Sequence, residues 1–335
     1  MKLHTDASGA IPHGGDLGAA RLLFPDAPQP FIDLSTGINP HPYPLPPLAA
    51  EVFTQLPQPA ALRELAAIAA QAYGAPSVAH VVAAPGTQIL LARVAALVAP
   101  GRAVVLGPTY AEHARAAALA GHRVTEVTDL AGVRDAALAV VVNPNNPDGR
   151  IVSRQALLAC ARALPGLLVV DEAFMDVGPP GASLAGDVGR GNILVLRSFG
   201  KFFGLAGLRL GFALASEAIV ARLTAGLGPW AVGGPAIAVG AAALADRAWA
   251  MAARERLARS ASRLDRILTG AGLTVAGGTS LFRLVHTLAA AERFQHLGCA
   301  GIVVRRFANE ANWLRFALPA RESDWQRLTA ALTAA

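Results

Sequence analysis

The chain has 335 residues, 53 % of them apolar and 6 % aromatic, enough to bury one large and one small core and too few residues for three domains. Its formal charge of +6 is spread along the sequence. There is no basic run interleaved with aromatics and no zinc-finger spacing, so an anionic small molecule is the expected partner and nucleic acid is not.

Taken from the N-terminus, residues 1–15 lack the apolar core of a signal peptide. Only two cysteines occur, Cys160 and Cys299, far apart and without a metal-ligand spacing; no disulfide framework and no metal are expected, and a reducing cytoplasm fits. Residues 1–45 read as an arm, broken by Gly14-Gly15, Gly37 and prolines at 40, 42, 44, 46 and 47. Phe31 and Ile32 give that arm apolar anchors, for its own body or for a partner subunit. A large α/β domain is expected over 46–235. Short apolar, β-branched runs at 80–83, 103–106, 139–142, 167–170, 193–196 and 210–213 predict strands. Helical spacing at 88–97, 111–120 and 153–164 predicts helices between several of them, the last with Ser153 as N-cap. Such alternation gives a mostly parallel sheet covered on both faces. The uncharged stretch 225–245 is long enough to span a bilayer. Gly228, Pro229, Gly233, Gly234 and Pro235 break its first half and would leave backbone groups unpaired in lipid, so it reads as a loop followed by a buried helix start, with no membrane partner. Residues 236–335 are expected to hold a long linking helix over 236–270 and a smaller α+β domain. Its strands fall near 273–275, 281–285, 302–307 and 313–318, and its helices near 289–297 and 322–334.

Chemistry concentrates in Ser198-Phe-Gly-Lys201-Phe-Phe-Gly-Leu-Ala-Gly-Leu-Arg209-Leu-Gly211, directly behind a strand. A lysine there is ordinarily a surface residue. These neighbours are apolar and glycine-rich, and desolvation favours the neutral amine that condenses with an aldehyde. Ser198 and Arg209 add a hydroxyl and a fork-shaped cation, a pair suited to a phosphate ester. Ala84-Pro-Gly86-Thr87-Gln88 opens a helix, as a plain cap or an anion site. Tyr110 follows another strand and by itself reads as core. Asn143-Pro-Asn-Asn146-Pro-Asp-Gly149 is a turn by composition. Asp171, in Val169-Val-Asp171-Glu-Ala-Phe174, by itself reads as a cap of the next helix. Arg315, in Trp313-Leu-Arg315-Phe, by itself reads as a surface-facing strand residue.

In this order the blocks resemble the class I/II aminotransferase superfamily, fold-type I enzymes that use pyridoxal 5′-phosphate (PLP), over nearly the whole chain. The resemblance implies that Lys201 binds the cofactor covalently, that Asp171 pairs with the pyridine nitrogen, that Asn146 hydrogen-bonds the phenolic oxygen and that Tyr110 stacks on the ring. These four form the implied catalytic set. Gly86, Thr87, Gln88, Ser198 and Arg209 would hold the cofactor phosphate, and Arg315 the substrate carboxylate. A homodimer is implied too, with the arm and the segment near Trp230 contributing across the interface. Two positions depart from the pattern: Asp148 stands where Thr is usual, and Phe174 where many aminotransferases carry a Tyr whose hydroxyl helps hold the phenolic oxygen.

Fold alone does not fix the reaction. His13-Gly14-Gly15-Asp-Leu-Gly18, Asp33-Leu-Ser-Thr-Gly37-Ile-Asn39-Pro40, Phe174, Pro229-Trp230 and Ile302-Val-Val-Arg305-Arg306 are together similar to the threonine-phosphate decarboxylases of cobalamin biosynthesis. That similarity implies conversion of L-threonine O-3-phosphate to (R)-1-amino-2-propanol O-2-phosphate, with His13, Gly14, Gly15, Gly37, Asn39, Arg305 and Arg315 binding the substrate. Arg305, Arg306 and His13 would supply cations for its phosphate, and the Gly14-Gly15 backbone further donors. Arg306 reads equally as a solvated edge residue, and His13 equally as a local hydrogen-bonding residue of the arm. The alternative activity is that of a histidinol-phosphate aminotransferase or related transaminase, relatives that generally lack the His-Gly-Gly opening. A PLP-binding regulator would usually need a DNA-binding domain for which this length leaves no room.

Overall fold

The computed structural model describes residues 13–334. Backbone packing divides the chain into two compact units, one of residues 42–146 and 150–251, the other of residues up to 41, 147–149 and 252 onward. The strands are β1 (Ile32–Leu34), β2 (Val81–Ala84), β3 (Arg102–Leu106), β4 (Arg123–Val127), β5 (Leu138–Val142), β6 (Leu167–Asp171), β7 (Ile193–Ser198), β8 (Gly211–Leu214), β9 (Thr274–Thr279), β10 (Phe282–His286), β11 (Ile302–Phe307) and β12 (Glu310–Ala317).

The first unit carries a seven-stranded sheet in the order β2-β8-β7-β6-β5-β3-β4. From β7 to β4 neighbouring strands run parallel, while β8 runs antiparallel to both its neighbours. β5 and β6 are buried at every residue, which is why their sequences are unbroken apolar runs rather than alternating ones. β4 is different: its pattern is mostly exposed, and Arg123-Val-Thr-Glu-Val becomes a strand through its parallel pairing with β3. Leu90, Leu91 and Val94 of helix Thr87–Ala95 and Ala114 and Ala117 of helix Glu112–Leu119 pack with Val105, Val140, Val169 and Leu194 of the sheet. Ser153 caps helix Arg154–Ala163, its Oγ accepting the Ala156 N–H at 3.2 Å.

The stretch 225–245, expected as a loop and a helix start, opens instead with the last residues of helix Glu217–Leu227, and the loop after them leads into helix Gly234–Ala245, with Ala236, Ile237, Val239 and Leu244 among its buried residues. The expected single helix over 236–270 is in fact two, Gly234–Ala245 and Arg247–Gly270, bent by 78°. Asp246 makes the break: its Oδ1 accepts the Trp249 N–H at 2.9 Å, satisfying a free donor at the start of the second helix and ending the first. Among the described residues no single helix is long and apolar enough to cross a membrane.

The second unit holds a five-stranded sheet in the order β1-β11-β12-β10-β9. β1 pairs parallel with β11 and the other pairings are antiparallel. Ala20, Phe24, Ala27 and Phe31 cluster with Phe294 and Val303, so the apolar anchors of the arm pack on its own chain. Helix Ala290–Cys299 lies against β11 and β12. Cross-strand register puts Arg305 opposite Arg315, and Leu284 and His286 opposite Arg315 and Trp313. By the two-residue alternation of strands, Arg305, Arg315, Trp313, Leu284 and His286 share one face.

Candidate active site

In the first unit the carboxyl ends of β3, β5, β6 and β7 open the same way, because these strands are parallel, and each is followed by one of the blocks singled out above. Such ends are where open α/β sheets bind ligands. Asp171 closes β6 and is 6 % exposed. Its Oδ2 lies 2.8 Å from His113 Nε2 and its Oδ1 accepts the Ala173 N–H at 3.0 Å. A carboxylate oxygen can accept more than one hydrogen bond, so the carboxylate keeps capacity for a further donor. His113 also sets Tyr110, the two rings meeting edge to face at 5.9 Å. The Tyr110 hydroxyl donates to Gln88 Oε1 at 3.0 Å, and Gln88 Nε2 donates to Glu112 Oε2 at 3.0 Å. The side chain of Gln88 therefore serves the tyrosine, and only its backbone lies at the helix start.

The loop after β5 is fixed from beneath by two buried asparagines. Asn143 Nδ2 donates to the Val152 carbonyl at 3.0 Å and Asn145 Nδ2 to the Pro108 carbonyl at 3.0 Å. Thr109 Oγ1 donates to Asn145 Oδ1 at 2.6 Å. Half-buried Asn146 follows directly on this frame. Lys201 sits on the short helix Phe199–Phe202 behind β7. That helix is anchored by an aromatic stack, Phe199 on Phe203 at 4.4 Å and Phe203 on Trp249 at 5.5 Å. Lys201 Nζ lies 6.0 Å from the centre of the Phe174 ring.

At the other end of the platform, Gly86 precedes helix Thr87–Ala95 with φ +85°, a region that favours glycine. No side chain caps this helix. A Cβ on Gly86 would fall 2.7 Å from Arg209 Nη2, so the guanidinium stands beside the free N–H groups of the first turn. Arg209 itself is left-handed, at φ +53°. A Cβ on Gly211 would fall 2.7 Å from the Thr87 nitrogen, so glycine there lets the start of β8 approach the helix. Helix dipole, free amides and guanidinium together form an anion cradle, and Ser198 ends the adjoining β7. The donor set as a whole fits PLP: an amine in an apolar setting, a buried carboxylate for a ring N–H, an oriented phenol ring and a phosphate cradle.

Directly under these ends lies a buried ion network. Arg197 Nη1 donates to Glu172 Oε2 at 3.0 Å and Nη2 to Asp176 Oδ1 at 2.8 Å. Glu172 also accepts Ser183 Oγ at 2.6 Å and the Leu184 N–H at 2.7 Å. Burial pushes the Glu172 carboxyl up, against Arg197, which pulls it down. Since Glu172 follows Asp171 and Arg197 precedes Ser198, the network ties the end of β6 to the end of β7.

In the second unit Arg315 is 6 % exposed and its Nη2 donates to the Ser35 carbonyl at 2.8 Å. Its guanidinium lies over the Phe282 ring at 5.1 Å, and that of Arg305 over Phe307 at 5.6 Å. Phe307 meets Trp313 edge-on at 6.1 Å, and Trp313 stacks on His286 at 5.1 Å. Burial, and then the neighbouring Arg305, push Arg315 down to about 9, while Asp33 pulls it back up. Arg306 is opposite Leu314, the other side of the ladder, with its guanidinium over the Phe294 ring at 4.8 Å; it is not brought together with Arg305 and Arg315. Gly14 and Gly15 lie against Ser35. Gly37 and Asn39 are buried, with Asn39 Oδ1 accepting the His41 N–H at 2.9 Å, and His13 is exposed.

His113, Arg197 and Asp176 escaped sequence reasoning, and Ser35 was met only as part of the Asp33-Leu-Ser-Thr-Gly37 motif, without a role. His113 follows Tyr110 by one helical turn, a spacing that pairs side chains, but its partner Asp171 is far off in sequence. Arg197 reads as one more residue of an apolar strand.

A family model described as "Aminotransferase class I and II" matches residues 34–332. The chain is 41 % identical over 331 residues to a threonine-phosphate decarboxylase from Sinorhizobium sp, covering 97 % of this chain and 98 % of that protein. It is 41 % identical over 328 residues to a threonine-phosphate decarboxylase from Pseudomonas aeruginosa, covering 96 % and 97 %. Among solved structures, a histidinol-phosphate aminotransferase from Sinorhizobium meliloti in complex with pyridoxal-5′-phosphate superposes with a TM-score of 0.81, at 23 % identity and covering 100 % of this chain and 97 % of that one; this is a likeness of fold.

Proposed function

The chain belongs to the class I and II aminotransferase family, and from that premise we propose that it is a PLP-dependent carboxy-lyase. It converts L-threonine O-3-phosphate to (R)-1-amino-2-propanol O-2-phosphate in cobalamin biosynthesis. The observation that carries this reading is 41 % identity, at nearly full length on both sides, to two proteins bearing the name of that activity.

When bound, PLP withdraws the electron pair that stays on Cα as carbon dioxide leaves. Lys201 holds the group, and its Nζ returns a proton to Cα. Asp171, oriented by His113 and the Ala173 N–H, keeps the ring nitrogen protonated. Tyr110 supports the ring face; Asn146 donates to the phenolic oxygen. Ser198, Arg209 and the helix start at Gly86, Thr87 and Gln88 take the cofactor phosphate, Thr87 and Gln88 through their N–H groups and Gly86 as the close-approach glycine whose own N–H donates to the Ala84 carbonyl at 2.7 Å. Arg315 orients the substrate carboxylate. Arg305 and the Gly14 and Gly15 amides receive the substrate phosphate, with His13, Gly37 and Asn39 shaping that end. Phe174, which is buried, offers hydrocarbon where a tyrosine would add a hydroxyl donor, and so weakens the tuning that transamination uses. Both cysteines are free thiols, which suits a cytoplasmic enzyme. The first unit exposes Phe53 at 67 %, Leu56 at 60 % and Trp230 at 55 %, apolar surface that a second copy would cover in a homodimer.

The deciding assay supplies purified protein with PLP and L-threonine O-3-phosphate and measures carbon dioxide. Stoichiometric release is expected. Glutamate formed from histidinol phosphate and 2-oxoglutarate, without carbon dioxide from threonine phosphate, overturns the reading.

A further inference from the structure

Ser35 is 3 % exposed and bonds in three directions. Its hydroxyl donates to Asp33 Oδ1 at 2.5 Å and accepts the Gly15 N–H at 2.8 Å. Its carbonyl accepts Arg315 Nη2 at 2.8 Å. The Ser35 N–H is also held by Asp33 Oδ1, at 2.8 Å, so the serine is fixed at both its backbone and its side chain. A hydroxyl has one proton, and Asp33 takes it. The lone pairs then face the arm, which must present an N–H to them. Gly14 lies so close that a Cβ there would fall 2.9 Å from Ser35 Oγ and collide with the Ser35 carbonyl. The glycine pair is therefore what lets the arm seat on this serine.

We propose that Ser35 is a positioning residue for substrate. Through its side chain it seats the Gly14-Gly15 turn, and through its carbonyl it aims Arg315, so the donors for one substrate anion and the guanidinium for the other are held in a set relation. This rests on the assignment of the arm and Arg315 to substrate binding. Asp33 acts behind the serine, fixing the hydroxyl direction and offsetting part of the charge depression at Arg315. The ligand class selected is an amino acid whose second anion is joined by a short linker, a phosphoester on the β-hydroxyl; free threonine, lacking that anion, gains nothing from the seated arm.

The test compares holoenzyme of wild type, Ser35→Ala and Gly14→Ala, reading KM and kcat separately for L-threonine O-3-phosphate. It also follows hydrogen exchange of the arm peptide. Ser35→Ala removes the acceptor of the Gly15 N–H and keeps the carbonyl; Gly14→Ala lifts the arm and leaves the serine intact. For both, KM should rise about tenfold, the order expected for one buried hydrogen bond, with kcat changing far less. Arm amides should exchange faster, and the cofactor absorbance should stay. KM values within twofold of wild type for both variants overturn the inference alone. Equal losses in kcat and cofactor also overturn it, by making Ser35 merely structural. If Ser35→Ala does not fold, Ser35→Cys, which keeps the carbonyl and replaces the hydroxyl acceptor with a weaker thiol, decides in its place. A wild-type protein that releases no carbon dioxide sinks the assigned reaction first, and the inference with it.

Discussion

In the first unit the buried charges come with partners: Asp171 has His113 and a backbone N–H, and Arg197 lies between Glu172 and Asp176. In the second unit Arg315 is buried opposite a second arginine, and their repulsion helps depress its proton affinity. A platform proposed for a resident cofactor is neutralised from within, so that it is stable between turnovers. In the proposed substrate surface Asp33 offsets only part of the depression at Arg315, and an arriving dianion would add to that relief.

The largest effect should come from Lys201→Ala, which removes the amine proposed to hold the cofactor. Turnover should drop by on the order of 10⁴ or more, with loss of the visible absorbance and of the borohydride-trappable adduct. Retention of both would dissolve the comparison. Next, the two units should answer charge deletion differently. Arg197→Met leaves two carboxylates buried without their cation and should lower unfolding stability by about 3–5 kcal/mol, measured by denaturant titration. Arg305→Leu removes a like charge from a half-buried position, and its stability should stay within about 1 kcal/mol of wild type, while KM for the phosphorylated substrate rises. Equal losses in the two variants would remove the distinction.

The pH profile sharpens the same contrast. Burial and the neighbouring Arg305 hold Arg315 at about 9 in the folded protein, well below an ordinary guanidinium. Because the folded value is the lower one, the cost of burying this cation is fully present below about 9 and lifts only as pH rises toward the unfolded value. In the proposed role Arg315 binds the substrate in its charged form, so kcat/KM should be unaffected by this group well below pH 9 and fall as pH rises through it. Arg305→Leu should move that fall to higher pH. The smallest effect lies away from both sites: Ser153→Ala removes the cap of helix Arg154–Ala163, and should cost about 1 kcal/mol with kinetics unchanged.

Much of the proposed cofactor platform was legible in the sequence because Tyr110, Asn146, Asp171 and Lys201 stand at or just behind the ends of buried strands in the parallel run, β3, β5, β6 and β7, and the unbroken apolar run ending in Asp171 marks both strand and candidate site; Gly86 to Gln88 instead follow β2, which pairs antiparallel. What was not legible depends on partners remote in sequence. His113 acquires its place only from Asp171, and Ser35 from Arg315. β1 is three residues with Asp33 at its centre, a strand only because β11 lies beside it. β4 is an edge strand with polar residues facing water, so it lacks the apolar signature. The break at Asp246 escaped notice because the residues on both sides favour helix, and one side-chain hydrogen bond decides the matter.

The pairing of β1 with β11 also has a bearing on synthesis. Ser35 leaves the ribosome early, yet the Arg315 that it aims is 280 residues further on. Residues 42–146 and 150–251 can condense as a body while translation continues. The five-stranded sheet cannot, because its first strand must wait unpaired until nearly the whole polypeptide has been made, a closure of high contact order. A nascent chain stalled before residue 302 would carry Lys201 and all seven strands of the larger sheet, yet lack β11 and β12 and with them Arg305 and Arg315.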